Sequence, residues 1–201
     1  MMKKDFTGFV LAGGKSSRMG ADKYNLEIDG ESFLDRAANT LRATCETVKI
    51  VLNQTQSVET DLPTVRDIYA ARGALGGIHA ALKNCETKFA IILAVDLPLV
   101  TGAAIENLAD AALALNKYPA VVPRQTDGES QPLCAVYRAK YCLPPLEKIL
   151  HESDSASVRD FLDAIFPKYI DESRLSADGN LLFNVNRPAD FELLTKTGAK
   201  E

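Results

Sequence analysis

The sequence predicts a Rossmann-like α/β fold of three layers, in which helices cover both faces of a mostly parallel central sheet. Two observations predict it. Short apolar runs typical of strands alternate with helical patterns through the first half of the chain, as in βαβ units. The runs over residues 7–12 and 88–95 are apolar almost throughout, which indicates strands that are buried on both faces.

The predicted strands follow one another along the chain. Four lie in the first half, at residues 7–12, 48–53, 63–67 and 88–95, and the runs AVVP and LCAVY add two more between residues 119 and 137. No internal repeat, low-complexity tract or Gly/Ser/Pro-rich linker divides the chain. We therefore expect a single domain over residues 1–201.

Five helices are predicted from apolar residues at helical spacing and from start signals. Ser32, with Asp35 three residues later, is typical of a helix N-terminus, and this helix is expected to run to about Ala43. The second helix is marked by an apolar stripe, which consists of Leu75, Ile78 and Leu82. The last three helices are preceded or opened by Thr101, Ser155 and Pro188.

Charge and composition exclude several classes of protein. The formal net charge is -4, whereas nonspecific binding to nucleic acid needs an excess of Lys and Arg, so no nucleic-acid partner is expected. The apolar runs are too short for a signal peptide or a membrane span, which predicts a cytoplasmic protein without a membrane partner. The four cysteines lack a CxxC spacing or a paired histidine, so neither a zinc site nor a redox dithiol is predicted.

Glycine and polar residues stand where the predicted strands end. The first strand ends at Gly13 and Gly14, the second at Asn53, the third at Asp67 and the fourth at Asp96. In an open α/β sheet the ligand binds outside the carboxyl ends of the strands. We therefore expect these residues to meet at one rim of the sheet.

The segment LAGGKSSRMGADK, residues 11–23, combines glycines with three cations. Glycine allows backbone N–H groups to approach a phosphate closely, and Lys15, Arg18 and Lys23 can neutralise its charge. This combination is typical of a nucleoside triphosphate site, although the spacing is neither a P-loop nor a G-x-G-x-x-G turn. Lys15 has two equally favoured interpretations, because it can reach the β and γ phosphates or face water.

Asp96 is the candidate metal ligand. It follows seven largely apolar residues, so its carboxylate is expected at the mouth of a central strand. A lone carboxylate beside triphosphate oxygens suits Mg²⁺, which prefers oxygen ligands and keeps several waters. The alternative role, a helix cap, is disfavoured because Pro98 and Thr101 already provide the start of the next helix.

These motifs resemble those of the MobA-like nucleotidyltransferases, specifically the molybdenum cofactor guanylyltransferases. The resemblance spans nearly the whole chain in the right order. It is carried by LAGGKSSRMGADK, RGALGGIHAAL (72–82), AVDLPLV (94–100), ESQPLCAVY (129–137) and FNVNRPADF (183–191). The resemblance implies the three-layer nucleotidyltransferase fold, with a nucleotide-binding half at about residues 1–100 and an acceptor-binding half at about residues 101–201.

The resemblance also implies a reaction and its partners. Members of the family transfer GMP from GTP to the phosphate of molybdopterin that carries molybdenum, and they release pyrophosphate. The implied cofactor is Mg²⁺. Proteins that insert the metal or receive the finished cofactor are further expected partners, although no segment identifies a surface for them.

The resemblance assigns roles to individual residues. Arg18 and Lys23 hold the nucleotide phosphates and form, with Asp96, the predicted catalytic set. Asp96 binds Mg²⁺, and at least one of Asn184 and Asn186 in the NVN motif is expected near the metal. Asn53 and Asp67 are assigned to the nucleoside pocket, and the other implied nucleotide-binding residues are Leu11, Ala12, Gly13, Gly14, Lys15 and Gly76.

One segment departs from the family pattern. Residues 73–77 read GALGG where the family has GPLAG, and we expect the missing proline to leave this loop freer. The candidates on the acceptor side are Arg124, Gln131 and Pro132, because the N-terminal motifs already occupy the nucleotide half. Ordinary loop and strand packing is the alternative interpretation of these three residues.

The chemistry of the implied reaction agrees with what the sequence lacks. A phosphate monoester has a second pKa near 6, so this nucleophile is largely ionised at neutral pH and needs no general base. Positioning and charge neutralisation can carry the reaction. The two histidines, His79 and His151, are accordingly predicted to have structural roles.

Alternative functions stay open at this point. A molybdopterin cytidylyltransferase or a sugar-phosphate nucleotidyltransferase would keep the same fold with different substrates. A noncatalytic carrier of nucleotide or cofactor would keep only the pocket. The presence of Arg18, Lys23 and Asp96 together speaks against the carrier, because a degenerate site would be expected to lose one of them.

Overall fold

The computed structural model describes residues 3–13, 23–69, 71–177 and 179–198. The predictions for Gly14, Lys15 and Arg18 therefore concern residues that lie outside the described part of the chain.

A seven-stranded sheet lies at the centre of the molecule, in the spatial order β5-β4-β1-β6-β8-β7-β9. Six of its described strands run in one direction, and β8 runs antiparallel to its neighbours β6 and β7. A separate short hairpin is formed by β2 and β3. The strands are β1 (Phe6–Leu11), β2 (Glu27–Ile28), β3 (Glu31–Ser32), β4 (Thr47–Leu52), β5 (Thr64–Arg66), β6 (Phe89–Ala94), β7 (Ala120–Arg124), β8 (Cys134–Tyr137) and β9 (Lys168–Asp171).

Helices cover both faces of the sheet, which confirms the predicted three-layer α/β fold. They are α1 (Phe33–Arg42), α2 (Ala74–Lys83), α3 (Gly102–Ala114), α4 (Ala139–Glu152), α5 (Val158–Ile165) and α6 (Pro188–Gly198). Helices α1 and α3 contact each other in one layer, whereas α4 contacts both α2 and α5 in the other. In the described part of the chain, no helix combines the length and the apolar character that crossing a membrane requires.

The central strands are buried, as their sequences predict. All six residues of β1 and all six of β6 are shielded from solvent, and the rings of Phe6 and Phe89 stack at 5.1 Å between centroids. Burial on both faces explains why these strands are apolar almost throughout. Because β1 and β6 are adjacent and parallel, their carboxyl ends emerge side by side.

The helix start signals explain where three of the helices begin. The Ser32 side chain accepts a hydrogen bond from the Asp35 backbone N–H at 3.0 Å, and Thr101 accepts one from Ala104 at 3.3 Å. At α5 the capping residue is Ser157, which forms a capping box with Asp160. Ser155 lies two residues before this cap, and the amphipathic helix predicted after it is confirmed.

The segment at residues 73–77 differs from the expected freer loop. Residues 74–77 form the first turn of α2, and Gly73 is its N-cap with φ at +53°. A positive φ is readily adopted by glycine, so the chain enters the helix here without the proline of the family pattern. The segment is therefore the start of a helix and not a loop, and greater freedom of this segment without the proline stays a prediction.

Candidate active site

The carboxyl ends of β1, β4 and β6 bring four sequence-predicted residues to one rim. The Ala12 N–H donates to the Val51 carbonyl at 3.1 Å, and the Val95 N–H donates to the Leu11 carbonyl at 3.2 Å. Gly13 and Asp96 follow directly after the bonded Ala12 and Val95, and Asn53 lies two residues after Val51. Asp67 reaches the same rim because its N–H donates to the Leu52 carbonyl at 2.8 Å.

Three side chains from distant segments meet at this rim. Lys23 Nζ lies 3.2 Å from Asp96 Oδ2 and donates a hydrogen bond to Asn186 Oδ1 at 2.8 Å. The Lys23 and Asp96 side chains are only 18% and 22% exposed, so water screens this ion pair less than it would a pair on the open surface. The structure thus brings together a predicted phosphate-binding cation, the predicted metal ligand and one asparagine of the NVN motif.

The oxygens of this cluster suit a divalent cation. Asp96 Oδ1 is buried and has no hydrogen-bond partner in the described structure, so it is an acceptor that still requires a donor or a cation. Asn186 Oδ1 already faces a positive charge, that of Lys23. Within the described residues, no group of three or more His, Cys, Asp or Glu residues could hold a metal ion by itself. A cation here would therefore need phosphate oxygens or water as further ligands, which is the usual mode of Mg²⁺.

The NVN segment reaches Asp96 through its backbone. The Val185 N–H donates to the Asp96 carbonyl at 2.9 Å. The next two N–H groups, of Asn186 and Arg187, both donate to Asp190 Oδ2 at 2.8 Å, at the start of α6. Asn184 points its amide nitrogen to the Leu182 carbonyl at 3.3 Å. Asn186 is therefore the NVN residue whose side chain joins the cluster.

Asn53 shapes the turn beside the glycine-rich segment. Its side-chain oxygen accepts hydrogen bonds from the Thr55 and Gln56 N–H groups at 3.0 and 2.8 Å. Gln56 Nε2 then donates to the Ala12 carbonyl at 3.0 Å. A Cβ at Gly13 would lie 3.2 Å from the Asn53 nitrogen, so the backbones approach closely here. Sequence reasoning did not identify Gln56, and its position three residues after Asn53, typical of an Asx turn, was the available signal.

Asp67 packs directly on the first turn of α2. Its Oδ1 accepts a hydrogen bond from the Tyr69 N–H at 2.8 Å, and a Cβ added at Gly76 would lie 2.6 Å from Asp67 Cγ. Position 76 therefore has room for glycine only. Burial raises the pKa of Asp67 above its usual value, while the Tyr69 N–H bond and the nearby His79 act in the opposite direction.

Comparison with known proteins assigns the chain to a family. Residues 8–168 match the family model described as a MobA-like NTP transferase domain. The chain belongs to this family. It is therefore a nucleotidyltransferase, as its motifs predict.

Similar proteins cover almost the whole length of this MobA-like chain. A molybdenum cofactor guanylyltransferase from Desulfosudis oleivorans is 32% identical over 195 residues, which cover 92% of each chain. A protein named "Probable molybdenum cofactor guanylyltransferase" from Pelotomaculum thermopropionicum is 34% identical over 189 residues, covering 92% of this chain and 89% of the relative. The crystal structure of molybdopterin-guanine dinucleotide biosynthesis protein A from Archaeoglobus fulgidus superimposes with a TM-score of 0.81 at 21% identity, covering 97% of this chain and all of that one, which supports the fold.

The acceptor-side candidates of the MobA-like chain lie next to the end of β6. The Ala94 N–H donates to the Leu133 carbonyl at 2.8 Å, which places Leu133 beside the end of β6, two residues before Asp96. Gln131 is buried and its N–H donates to the Pro123 carbonyl, whereas the Pro132 carbonyl accepts from the Tyr137 hydroxyl. The Arg124 guanidinium stacks over the ring of Tyr169 at 4.2 Å, and sequence reasoning did not identify this tyrosine.

His79 lies on α2 and His151 on α4, and the rings of both lie near Tyr69, which is in the loop after β5. His79 is buried, its ring meets the edge of the Tyr69 ring at 4.7 Å, and its Nε2 lies 3.5 Å from Glu147 Oε1. Burial lowers the pKa of His79, although Glu147 opposes this shift. His151 is exposed and lies near the end of α4, with its ring 6.3 Å from that of Tyr69. These contacts are packing contacts between elements.

Proposed function

We propose that this chain transfers GMP from GTP to the phosphate of Mo-molybdopterin, giving molybdopterin guanine dinucleotide and pyrophosphate. The single observation that carries the proposal is the Lys23, Asp96 and Asn186 cluster at the rim of a MobA-like fold. The guanylyltransferase names of the relatives support guanine as the base.

The nucleotide would bind across the ends of β1, β4 and β6. Lys23 and Arg18 would hold the phosphates, and the backbone of residues 11–13 would face the nucleotide. Asn53, Asp67 and Gly76 would form the nucleoside side of the pocket, which agrees with the close packing of Asp67 on Gly76. Gly14 and Lys15 complete the proposed set, and the proposed nucleotide-binding half covers about residues 1–100.

Asp96 and Asn186, with Asn184 nearby, would hold Mg²⁺. The bound ion would neutralise negative charge that develops on the triphosphate. The unpartnered Asp96 oxygen supports this assignment. Lys23 contributes a second positive charge at the same point, so binding and charge neutralisation share one cluster of this chain's residues.

The reaction itself needs only a correctly placed acceptor. An oxygen of the molybdopterin phosphate attacks the α phosphorus of GTP and forms a new P–O bond, while the bond to the β phosphate breaks and pyrophosphate leaves with its electron pair. The attacking oxygen is already ionised at neutral pH. Arg124, Gln131 and Pro132, in the half covering about residues 101–201, are the proposed contacts of the acceptor, because the 131–133 segment adjoins the end of β6.

Transfer assays with each nucleotide test the proposal. The protein is incubated with Mg²⁺, molybdopterin and one of GTP, CTP, ATP or UTP, and pyrophosphate release is followed. GTP should be the substrate. Release with CTP and none with GTP would replace the guanylyltransferase by the cytidylyltransferase, and release with a sugar phosphate as acceptor would indicate the other alternative. No release with any pair would favour the noncatalytic carrier.

The assignment of Asp96 is tested with a carboxylate-to-amide change. Asp96→Asn should lower turnover by about 10²-fold or more, because it removes the metal-binding charge, while GTP binding is weakened less. Asp110→Asn, on the exposed side of α3, is the matched control and should keep wild-type turnover. Wild-type turnover of Asp96→Asn with Mg²⁺ as the only metal would show that Asp96 is not the metal ligand.

A further inference from the structure

Glu172 is a buried acidic residue in the connection that follows β9. Its side chain is nearly inaccessible, with 4% of the residue exposed. Its Oε1 accepts a hydrogen bond from the Leu182 N–H at 2.9 Å. Burying a carboxylate costs free energy unless it makes hydrogen bonds, so a glutamate at this position calls for an explanation.

The partner of Glu172 lies in the segment that delivers the NVN motif to the site. Leu182 and Val185 of this segment are buried, at 1% and 0% exposure, yet residues 181–187 form neither helix nor strand. The segment is instead fixed at two backbone N–H groups three residues apart. The Leu182 N–H binds Glu172, and the Val185 N–H binds the Asp96 carbonyl at 2.9 Å.

These two anchor points hold the segment on the N-terminal side of Asn186, whose own N–H donates to Asp190 Oδ2 at 2.8 Å. Asn186 follows Val185 directly, and its side-chain oxygen accepts from Lys23 Nζ at 2.8 Å. Gln125 Nε2 adds a weaker contact to the Leu182 carbonyl at 3.4 Å. Without the Glu172 side chain, the Leu182 N–H would be buried without a hydrogen-bond acceptor, which costs free energy. The segment would lower its free energy by moving away from that position.

We propose that Glu172 is a positioning residue of the phosphate and metal site, which acts by holding residues 182–186 so that Asn186 meets Lys23 and Asp96. The inference rests on the proposed function for the identity of the metal and nucleotide. Groups that hold ligand-bearing segments typically change metal affinity or activity by 10- to 100-fold when removed. An amide offers the same acceptor oxygen as a carboxylate, so glutamine should replace glutamate here.

The experiment compares Glu172→Ala and Glu172→Gln with the wild type. Mn²⁺ binding in the presence of GTP is measured by electron paramagnetic resonance, together with metal-free GTP affinity, kcat, KM and the melting temperature. We expect Glu172→Ala to bind Mn²⁺ about tenfold more weakly and to lose a similar factor in kcat, with metal-free GTP affinity unchanged. Glu172→Gln should restore wild-type values.

Asn107→Ala is the matched control. Asn107, on α3, donates a hydrogen bond from Nδ2 to the Leu175 carbonyl at 3.1 Å. Leu175 lies in the same connection as Glu172 but before the segment of residues 182–186. This variant should lower the melting temperature without changing Mn²⁺ affinity. If Glu172→Ala behaves in the same way, Glu172 only stabilises the fold and the proposal is overturned.

The experiment also gives a result if Glu172→Ala does not fold, or if the proposed function is wrong. If Glu172→Ala does not fold, Glu172→Asp retracts the carboxylate by one methylene group, and unchanged Mn²⁺ affinity in that variant would equally overturn the proposal. If wild-type protein binds Mn²⁺ and GTP but transfers no GMP to molybdopterin, the proposed function fails. The Mn²⁺ affinities of the variants would still decide the role of Glu172.

Discussion

Lys23 is the residue at which the proposed phosphate and metal sites meet. Its ammonium group contacts Asp96 Oδ2 and Asn186 Oδ1, and the unpartnered Asp96 Oδ1, which is proposed to face the metal, belongs to the same carboxylate. A divalent cation and an ammonium group cannot occupy one position. In the ligand-free enzyme, Lys23 would therefore compete with the proposed metal, and nucleotide phosphates would offer Lys23 a different anionic partner.

Competition between Lys23 and the metal predicts that one substitution changes the affinities for GTP and for Mn²⁺ in opposite directions. Lys23→Met should weaken GTP binding by about tenfold, because a charged hydrogen bond to phosphate is lost. The same variant should bind Mn²⁺ without nucleotide about fivefold more tightly, since a partly exposed pair of this kind contributes about 1 kcal/mol. Equilibrium titration of both ligands measures these effects.

Lys49→Met is the control for that titration. Lys49 pairs with Glu86 at 2.8 Å on another part of the surface, so its removal should leave both affinities unchanged. Mn²⁺ affinity that stays the same or falls in Lys23→Met would contradict the competition between lysine and metal.

Individual residues could be predicted when a local motif contained them. Lys23, Asp96 and Asn186 each stand in a short recognisable pattern, and the structure brings them together. Glu172 stands in no such pattern, and the Asx-turn spacing of Gln56 after Asn53 does not by itself indicate a contact with Ala12. Their contacts join segments that are far apart or depend on the course of a loop, which the linear spacing of residues does not encode.

At the scale of single elements, the start of α5 offers a direct comparison of two serines. Ser157 Oγ accepts from the Asp160 N–H at 3.2 Å, and Asp160 Oδ2 accepts from the Ser157 N–H at 2.8 Å. Ser155 is exposed and its hydroxyl lies 3.4 Å from that of Ser153. Ser157→Ala should therefore lower the free energy of unfolding by about 1 kcal/mol, and Ser155→Ala by clearly less.

Urea unfolding followed by circular dichroism measures both changes. Equal losses in the two variants would contradict the assignment of Ser157 as the cap, and a larger loss in Ser155→Ala would indicate that Ser155 stabilises the start of the helix instead.

Elements with strong local signals were predicted well, and others were not. The buried strands β1 and β6 have continuous apolar runs, and α1 and α3 have capping residues that the structure confirms. Helix α4 was not among the five helices predicted from apolar stripes and start signals, because Pro144 and Pro145 lie inside it and weaken the helical pattern. Strand β9 was missed because its four residues are mostly half-buried or exposed and pair with β7 alone.

At the scale of the whole molecule, the buried His79 couples stability to pH. Its pKa lies below the usual value chiefly because of burial, while Glu147 and Asp67 raise it and Lys83 lowers it. The unfolded chain, with an ordinary histidine pKa of about 6.5, therefore binds more protons than the native state as the pH falls below that value. This group removes stability as the pH falls from 6.5 towards its native pKa.

His79→Gln should flatten this dependence. The free energy of unfolding of the wild type is expected to fall more steeply between pH 7 and pH 5 than that of the variant, whatever their difference at pH 7. Chemical denaturation at several pH values measures the slopes, and His151→Gln controls for the second histidine. Identical slopes for His79→Gln and the wild type would show that His79 does not contribute to the pH dependence of stability.

Asp67 changes stability with pH in the opposite direction. Because its pKa is raised in the native state, the native state binds more protons than the unfolded chain just above pH 3.8, so this group adds stability as the pH falls towards that value.

The arrangement of the whole molecule could be predicted only in part. Alternating strand and helix patterns predicted a mostly parallel sheet and a common rim. The insertion of antiparallel β8 between β6 and β7 could not be predicted, because pairing order depends on contacts between distant segments. The same limit applies to the site, since Lys23 and Asn186 are 163 positions apart in the sequence.

A crystal structure of the protein with GTP and Mn²⁺, with the metal located by its anomalous scattering, tests the central claim most directly. The account predicts a Mn²⁺ peak bonded to the Asp96 carboxylate and to the triphosphate, with Lys23 moved onto the phosphates. A triphosphate and metal bound away from Asp96, with Lys23 still paired to its carboxylate, would contradict it.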